Sequence, residues 1–194
     1  MESVDEFAKS LEESFTVGGD GRLEELVQEF ALFCFEELTD ADPIHSQCLS
    51  MALKTLTDPR LQNFEGSPHL LLLFEYDWGA LSALQKRRLL EVIENNYCRF
   101  TNLLAHQVMM ELLGRFFCNQ DSLKVLVKMA KCDCEAARSL VPLGFDTLVR
   151  ESSDVLLKAS ALAALRELSN DPSQLVQQEV AVSFDRLRKS GAAI

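Results

Sequence analysis

Residues 142–169 constrain the fold of this chain more than any other stretch. An apolar segment, Phe145–Val149, leads into the polar residues Ser152-Ser153-Asp154 and then into a run rich in alanine and leucine. Apolar residues recur in both segments at the spacing of an amphipathic helix, and aspartate is a residue type that caps helix starts. The pattern predicts a short helix, a tight turn and a longer helix that folds back on the first.

Helix starts are also marked elsewhere in the chain. Asp42-Pro43, Asp58-Pro59 and Ser67-Pro68 each place a capping residue before a proline, which suits the first position of a helix. Residues 69–74 form an apolar run that would also fit a buried strand. No second strand candidate exists to pair with this run, so we expect a helix there.

The whole chain is therefore predicted to be all-α, with about ten helices. Short connections favour sequential, antiparallel packing of neighbouring helices. Besides a first helix that follows Ser3 and the helix start at Asp58-Pro59, the predicted helices span approximately 22–38, 42–56, 69–74, 82–98, 102–117, 121–131, 134–140, 145–152, 154–169 and 173–189.

A weak internal repeat runs through these helices. Residues 42–56 align with 154–168 without a gap, and a looser copy lies at 109–116. Helical units that recur in this way are typical of a solenoid, in which each unit packs on the next. Successive copies are 60 and 52 residues apart, more than the roughly 40 of a regular repeat, so the predicted array is irregular. A plain α-helical bundle is the alternative.

The best copy resembles an armadillo or HEAT repeat over Ala136–Leu168. Residues 161–169 read Ala-Leu-Ala-Ala-Leu-Arg-Glu-Leu-Ser, similar to the Ala-Leu-Trp-Ala-Leu-Arg-Asn-Leu-Ala of the long armadillo helix. The resemblance implies a right-handed superhelix with a concave protein-binding face. The tryptophan and asparagine with which importin-type repeats hold a peptide are replaced, so binding of nuclear import signals does not carry over. The equivalent positions of the three copies, expected to line the concave face, are Met51 and Thr55, Glu111 and Arg115, and Ala163 and Glu167.

A length of 194 residues predicts a single helical repeat domain over 1–194. Acidic and basic residues are distributed unevenly along this domain. Residues 1–66 hold fifteen acidic against four basic residues, whereas 67–194, the charge-balanced repeat core, hold fifteen of each. Such an acidic field repels nucleic acid and accelerates encounter with basic partners. We expect Glu24, Glu25 and Glu29 of the second helix to contribute to a docking face; a solvated surface that aids solubility is the alternative.

Motifs for catalysis, cofactors or metals are weak. Cys132-Asp133-Cys134 has too short a spacing for structural zinc. The three histidines lie in separate predicted helices, and the glycine-rich loop at 18–21 lacks the lysine and hydroxyl residues of a phosphate-binding loop. No enzyme activity, cofactor or metal is predicted.

Two further features have alternative interpretations. Trp78 is expected to fill a gap between adjacent repeats, with a role as an interface residue as the alternative. The basic cluster Lys86-Arg87-Arg88 is expected on a solvated helix face.

The sequence thus predicts a protein-binding adaptor or scaffold that recognises a basic or amphipathic segment of another protein. The alternative is an acidic inhibitor, or immunity protein, that blocks a basic enzyme such as a nuclease. Nucleic acid and membranes are not predicted partners, because the chain is acidic and its longest apolar runs, 30–35 and 70–74, are too short to span a bilayer. An acidic N-terminus without a secretory signal predicts a cytoplasmic protein, and a nuclear location is compatible with the same pattern.

Overall fold

The computed structural model describes residues 3–17, 20–37, 43–58 and 67–191, and within these ranges the ordered elements are helical. This confirms the all-α prediction and the expected number of about ten helices; the superhelical arrangement stays a prediction, and a plain bundle is compatible with the same helices. The helices of the described ranges are α1 (Val4–Val17), α2 (Asp20–Glu37), α3 (Pro43–Thr57), α4 (Ser67–Tyr76), α5 (Ala83–Asn96), α6 (Leu103–Glu111), α7 (Gln120–Met129), α8 (Glu135–Glu151), α9 (Val155–Glu167) and α10 (Gln174–Lys189).

Local capping accounts for several helix starts. Ser82 and Gln85 form a reciprocal capping box at the start of α5. Asp154 accepts hydrogen bonds from the backbone N–H groups of Leu156 and Leu157, at 2.8 and 3.2 Å, and so begins α9 as predicted. The expected helix at 69–74 is confirmed as part of α4. The predicted start at Pro59 lies outside the described residues.

One prediction of helix boundaries is wrong. The sequence predicted separate helices at 134–140 and 145–152, but α8 is continuous from Glu135 to Glu151 and contains Pro142. Proline inside a helix removes one backbone hydrogen bond and crowds the preceding turn. The helix continues because residues on both sides of the proline, including Val141 and Phe145, are fully buried. Tertiary packing therefore outweighs the local preference for a break.

A π-helical segment, Leu112–Phe117, extends α6. The segment packs closely on α8: a Cβ atom placed on Gly114 would lie 2.7 Å from the carbonyl oxygen of Gly144. The segment ends at Cys118, which adopts the left-handed conformation with φ 41°. Glycine at position 114 thus permits a backbone approach that any larger residue would prevent.

The chain divides into two compact units, Met1–Ala105 (unit 1) and His106–Ile194 (unit 2). In unit 1, α2 packs on α1 and α4, while α3 packs on α1, α4 and α5. The rings of Phe7 and Phe30 stack with centroids 4.0 Å apart in its core. The charge boundary between residues 66 and 67 falls inside unit 1, and the single repeat domain over 1–194 stays a prediction.

Unit 2 is built around α8. This helix packs against α7, α9, α10 and the π-helical segment, and its buried face includes Ala137, Val141, Phe145 and Leu148. No helix in the described ranges of either unit is both long and apolar enough to cross a membrane.

Candidate protein-binding site

Helix α9 presents one face to solvent. Its buried face, which includes Ala161 and Leu165, packs on α8, whereas Ala163 and Glu167 are exposed. Val155 and Leu156 in the first turn are 76% exposed, although both are large apolar residues. The two α9 positions selected by the repeat resemblance are therefore accessible to a partner.

Beside this face lies a cavity of about 200 Å³, here called the α7–α9 cavity. It is formed where the C-terminal ends of α7 and α9 converge over the middle of α8. Its apolar lining includes Phe145 and Leu168, which are both buried. The lining residues are Val127, Ala130, Lys131, Phe145, Ala164, Glu167, Leu168, Asn170 and Asp171.

Two opposite charges stand at this cavity without ion-pair partners among the described residues. Lys131 lies just beyond the C-terminal end of α7, and Glu167 is the last residue of α9. Both side chains are exposed. Lys124, in contrast, is held by Asp121 at 2.7 Å. The cavity therefore has an apolar interior bordered by a cation and a carboxylate, neither of which is paired with another described residue.

A partly buried network fixes one end of the cavity. The guanidinium group of Arg138 donates to the carboxylate of Asp171, with an Nε–Oδ2 distance of 3.1 Å, and to the carbonyl oxygen of Cys132 at 2.7 Å. The hydrogen bond to Asp171 raises the pKa of Arg138 above its usual range. Asp171 also accepts from the backbone N–H of Ser173 at 2.9 Å. These bonds join the α7–α8 and α9–α10 loops, so the cavity end is held in place.

The remaining predicted positions of unit 2 lie elsewhere. Glu111 and Arg115 form an ion pair at 3.9 Å, and the Arg115 guanidinium group lies 5.3 Å from the ring centroid of Phe116. Neither residue lines the α7–α9 cavity. Of the four unit 2 positions taken from the repeat alignment, Glu167 alone is a lining residue.

The two α3 positions are turned away from solvent to different degrees. Met51 is half-buried, while Thr55 is only 2% exposed and its hydroxyl donates to the Met51 carbonyl oxygen at 2.9 Å. Burial therefore removes Thr55 from the residues that a partner can contact. Helix α3 packs on three other helices, and its exposed stripe carries Ser50 and Lys54, one residue away from the positions that the alignment selected.

Exposed carboxylates cover α1 and α2. Glu25 and Glu29 are exposed as expected, while the side chain of Glu24 lies outside the described residues. Glu25, Glu29 and the exposed carboxylates of α1 are here called the acidic face, and one member, Glu13, is paired with Lys9 at 3.8 Å. The exposed members of the acidic face are Asp5, Glu6, Glu12, Glu13, Glu25 and Glu29.

Of the cysteines in unit 2, Cys118 borders a cavity, and Cys132 and Cys134 lie between α7 and α8. Cys118 lines a cavity of about 420 Å³, and burial raises the pKa of its thiol despite a hydrogen bond with Ser152. A thiol that keeps its proton at neutral pH is a poor nucleophile. Cys132 Sγ lies 3.4 Å from the carbonyl oxygen of Cys134. Among the described residues, no three His, Cys, Asp or Glu side chains are placed to hold a metal ion.

The basic cluster of α5 is divided among three environments. Lys86 lies over the ring of Trp78, with its Nζ 4.7 Å from the centroid. Arg87 Nε is 3.1 Å from Glu91 Oε1, and Arg88 is exposed at a cleft beside α3. Trp78 is half-buried and makes a cation–π contact within unit 1.

Sequence reasoning did not identify Lys131 or the cleft beside α3. A lysine at position 124, 128 or 131 looks the same in a helical pattern, and only the fold shows which of them borders an apolar cavity. Comparison with protein-family models, curated proteins and solved structures found no match to this chain.

Proposed function

We propose that this protein is a non-enzymatic adaptor that binds a segment of another protein at the α7–α9 cavity. The observation that carries the proposal is the pairing of an apolar interior with two charges, Lys131 and Glu167, that have no ion-pair partner in the described residues. An apolar side chain of the partner fills the cavity, and flanking acidic and basic residues pair with the two charges. An amphipathic segment has this combination of groups.

The rigidity of the site supports the proposal. The Arg138–Asp171 network fixes the cavity end, and α9 is anchored on α8 by its buried face. A preorganised surface loses little conformational entropy when a partner binds. We further propose that α8 and α9 form a HEAT-like helical pair within an irregular right-handed superhelix, and that the protein acts in the cytoplasm.

The test is affinity capture from the native cell followed by mass spectrometry, with wild-type protein and two variants. Glu167→Lys is expected to lose the specific partner, because a second cation at the cavity repels the partner's basic residue. Asp121→Lys makes the same change of charge at the opposite end of α7 and is expected to retain it. Binding of the purified partner is then measured by calorimetry, where Glu167→Lys is expected to weaken affinity about tenfold or more.

The proposal fails if Glu167→Lys and wild type bind the purified partner with equal affinity. It also fails if both variants lose binding to the same extent, because that result assigns the effect to net charge rather than to the cavity. Circular dichroism of each variant establishes that the helices are retained.

The acidic face supports the further proposal that the same partner has a basic surface. Exposed carboxylates on two neighbouring helices accelerate encounter with cations and repel nucleic acid phosphates. Reversal of Glu24, Glu25 and Glu29 to lysine should slow association and reduce its dependence on salt. An unchanged association rate would remove this face from the proposal.

The same carboxylates favour a second candidate function, inhibition of a basic enzyme. This function requires a one-to-one complex in which the target loses its activity. Activity assays of the captured partner separate the two functions: an inhibitor abolishes turnover of its target at equimolar concentration, whereas an adaptor leaves turnover intact.

A further inference from the structure

A second concave site lies in unit 1, apart from every residue used in the proposed function. It is a cleft of about 490 Å³ between α3 and α5, here called the α3–α5 cleft. Its volume falls in the range of sites that bind small organic ligands. The lining residues are Ser50, Leu53, Lys54, Thr57, Arg88, Glu91, Val92, Asn95 and Asn96.

The cleft carries two exposed basic residues, although the first third of the chain is strongly acidic. Lys54 from α3 and Arg88 from α5 are both exposed, and neither has an ion-pair partner among the described residues. Glu91 is the one carboxylate among the described residues that line the cleft, and its Oε1 atom lies 3.1 Å from Arg87 Nε. Residues 1–66 contain fifteen acidic and four basic residues, so an exposed lysine without an ion pair to a described residue, such as Lys54, is unusual in this part of the chain.

The neutral polar groups of the cleft divide into satisfied and available ones. Asn96 donates to the Val92 carbonyl oxygen at 2.8 Å and accepts from Arg99 at 3.1 Å. The Thr57 hydroxyl donates its proton to the carbonyl oxygen of Lys54 at 2.7 Å. Asn95 is exposed, and no hydrogen bond of its side chain occurs within the described residues. Its amide is therefore a donor that a ligand can use.

Part of the cleft lining is apolar. Leu53 and Val92 are both buried, at 6% and 8% exposure, yet both line the cleft. A ligand with an apolar portion would cover these side chains while its charged portion lies between the two cations. Arginine and lysine differ in geometry, since the planar guanidinium can donate two parallel bonds to one anion.

We propose that the α3–α5 cleft binds a small organic anion. Lys54 and Arg88 pair with its carboxylate or phosphate oxygens, Asn95 donates a hydrogen bond, and Leu53 and Val92 contact its apolar part. Carboxylate and phosphate present the same anionic oxygens to these donors, so probes of both kinds are needed to distinguish them.

The test is a titration of the full chain, observed by ¹⁵N–¹H NMR, with benzoate and with inorganic phosphate at constant ionic strength. We expect saturable shifts confined to amides of α3 and α5 for at least one probe. Tighter binding of benzoate assigns the site to organic carboxylates, and tighter binding of phosphate assigns it to phosphate-bearing ligands. If neither probe produces saturable shifts at these helices, the proposal is overturned.

Matched variants separate a site from general electrostatic attraction. Lys54→Ala and Arg88→Gln should each lower the affinity for the probe about tenfold, which is the effect of losing one hydrogen bond to a charged group. Arg22→Ala removes one exposed cation of α2 outside the cleft and should change affinity less than about twofold. Equal weakening by all three variants would show that no specific site exists.

A gain of affinity gives the opposite test. Glu91→Gln removes the carboxylate that lines the cleft, while its exposed position leaves the fold intact. It should strengthen probe binding about threefold or more, because repulsion of the anion is lost. Weaker or unchanged binding in Glu91→Gln contradicts the proposed position of the anion.

Discussion

At the scale of single residues, Gly114 sets how closely the π-helical segment approaches α8. A Cβ atom at this position would lie 2.7 Å from the Gly144 carbonyl oxygen and 2.8 Å from Thr147 Cβ. Backbone and Cβ atoms cannot rotate away as a side-chain tip can. We therefore expect Gly114→Ala to lower the free energy of unfolding by about 2 kcal/mol or more, measured by urea denaturation.

Two other glycines provide a graded control. A Cβ on Gly144 would meet the Leu126 Cδ2 tip at 2.6 Å, which a change of rotamer relieves, so Gly144→Ala should cost less. A Cβ on Gly79 has no neighbour within 4 Å, and Gly79→Ala should stay within about 0.5 kcal/mol of wild type. Equal effects at positions 114 and 79 would contradict the close backbone approach.

Asp146 is a fully buried carboxylate whose burial raises its pKa above the ordinary 3.8. Its Oδ1 atom accepts from Arg150 Nε at 3.0 Å. Oδ2 accepts no hydrogen bond from the described residues and lies 4.0 Å from Arg186 Nη1. From pH 3.8 up to the raised pKa, the unfolded chain has lost this proton while the folded chain retains it. Stability contributed by Asp146 therefore falls as the pH rises through this window.

The corresponding prediction concerns Asp146→Asn. The asparagine side chain does not ionise, so the stability of wild type relative to this variant should decrease as the pH is raised from below 3.8 towards neutrality. Urea denaturation of both proteins across this range measures the difference. Asp121→Asn, which removes an exposed carboxylate of the same unit, corrects for the loss of one negative charge. A difference that grows with pH would show that the two arginines outweigh burial.

At the scale of elements, α8 contains a residue that opposes its own helix. Proline in a helix interior costs about 3 kcal/mol, while loss of a buried methylene costs about 0.8 kcal/mol. Replacement of the buried Pro142 by alanine restores a backbone donor and removes two ring methylenes, which together cost about 1.6 kcal/mol. The first effect is larger, so Pro142→Ala should raise the free energy of unfolding by about 1 kcal/mol.

A second proline tests whether this gain belongs to the helix. Pro172 is exposed and lies between helices, so Pro172→Ala removes no helical defect. Urea denaturation should show stabilisation for the Pro142 variant and none for the Pro172 variant. Loss of stability in Pro142→Ala would mean that ring packing, rather than the missing donor, dominates at this position.

Elements were predictable from the sequence where local chemistry decides them. The cap at Asp154 and the apolar run of α4 depend on neighbouring residues, and both were predicted. The continuity of α8 through Pro142 depends on partners distant in sequence, and it was not. The burial of Thr55 also depends on distant residues, because the helices that pack on α3 determine which of its side chains are buried.

One side of the candidate site, the exposed face of α9, could be predicted from the sequence. The resemblance to an armadillo repeat selected Ala163 and Glu167 on α9, and both residues are exposed. Lys131 was missed, because a cavity between three helices depends on how they converge. An alignment of helical positions gives the residues that share a face, but it does not show which faces meet.

At the scale of the whole molecule, the net negative charge lies in one of the two compact units. Unit 1 contains nineteen acidic and eight basic residues, whereas unit 2 contains eleven of each. The entire net charge of −11 therefore belongs to unit 1. The long-range attraction proposed for a basic partner would therefore come from unit 1, while the α7–α9 cavity belongs to the electrically balanced unit 2.

Unit 2 has a hydrophobic core of its own, built from α7, α8, α9 and α10. We therefore expect a fragment of residues 101–194, which begins before α6, to fold without the rest of the chain. Its length lies in the range where single domains bury enough apolar surface to be stable. Circular dichroism should show a helical spectrum and a cooperative urea transition.

Gly114→Ala should lower the free energy of unfolding by the same amount in the fragment as in the full chain, because every contact that this variant disturbs lies within unit 2. A fragment without a cooperative transition, or one in which Gly114→Ala has no effect, would show that the core of unit 2 does not form alone.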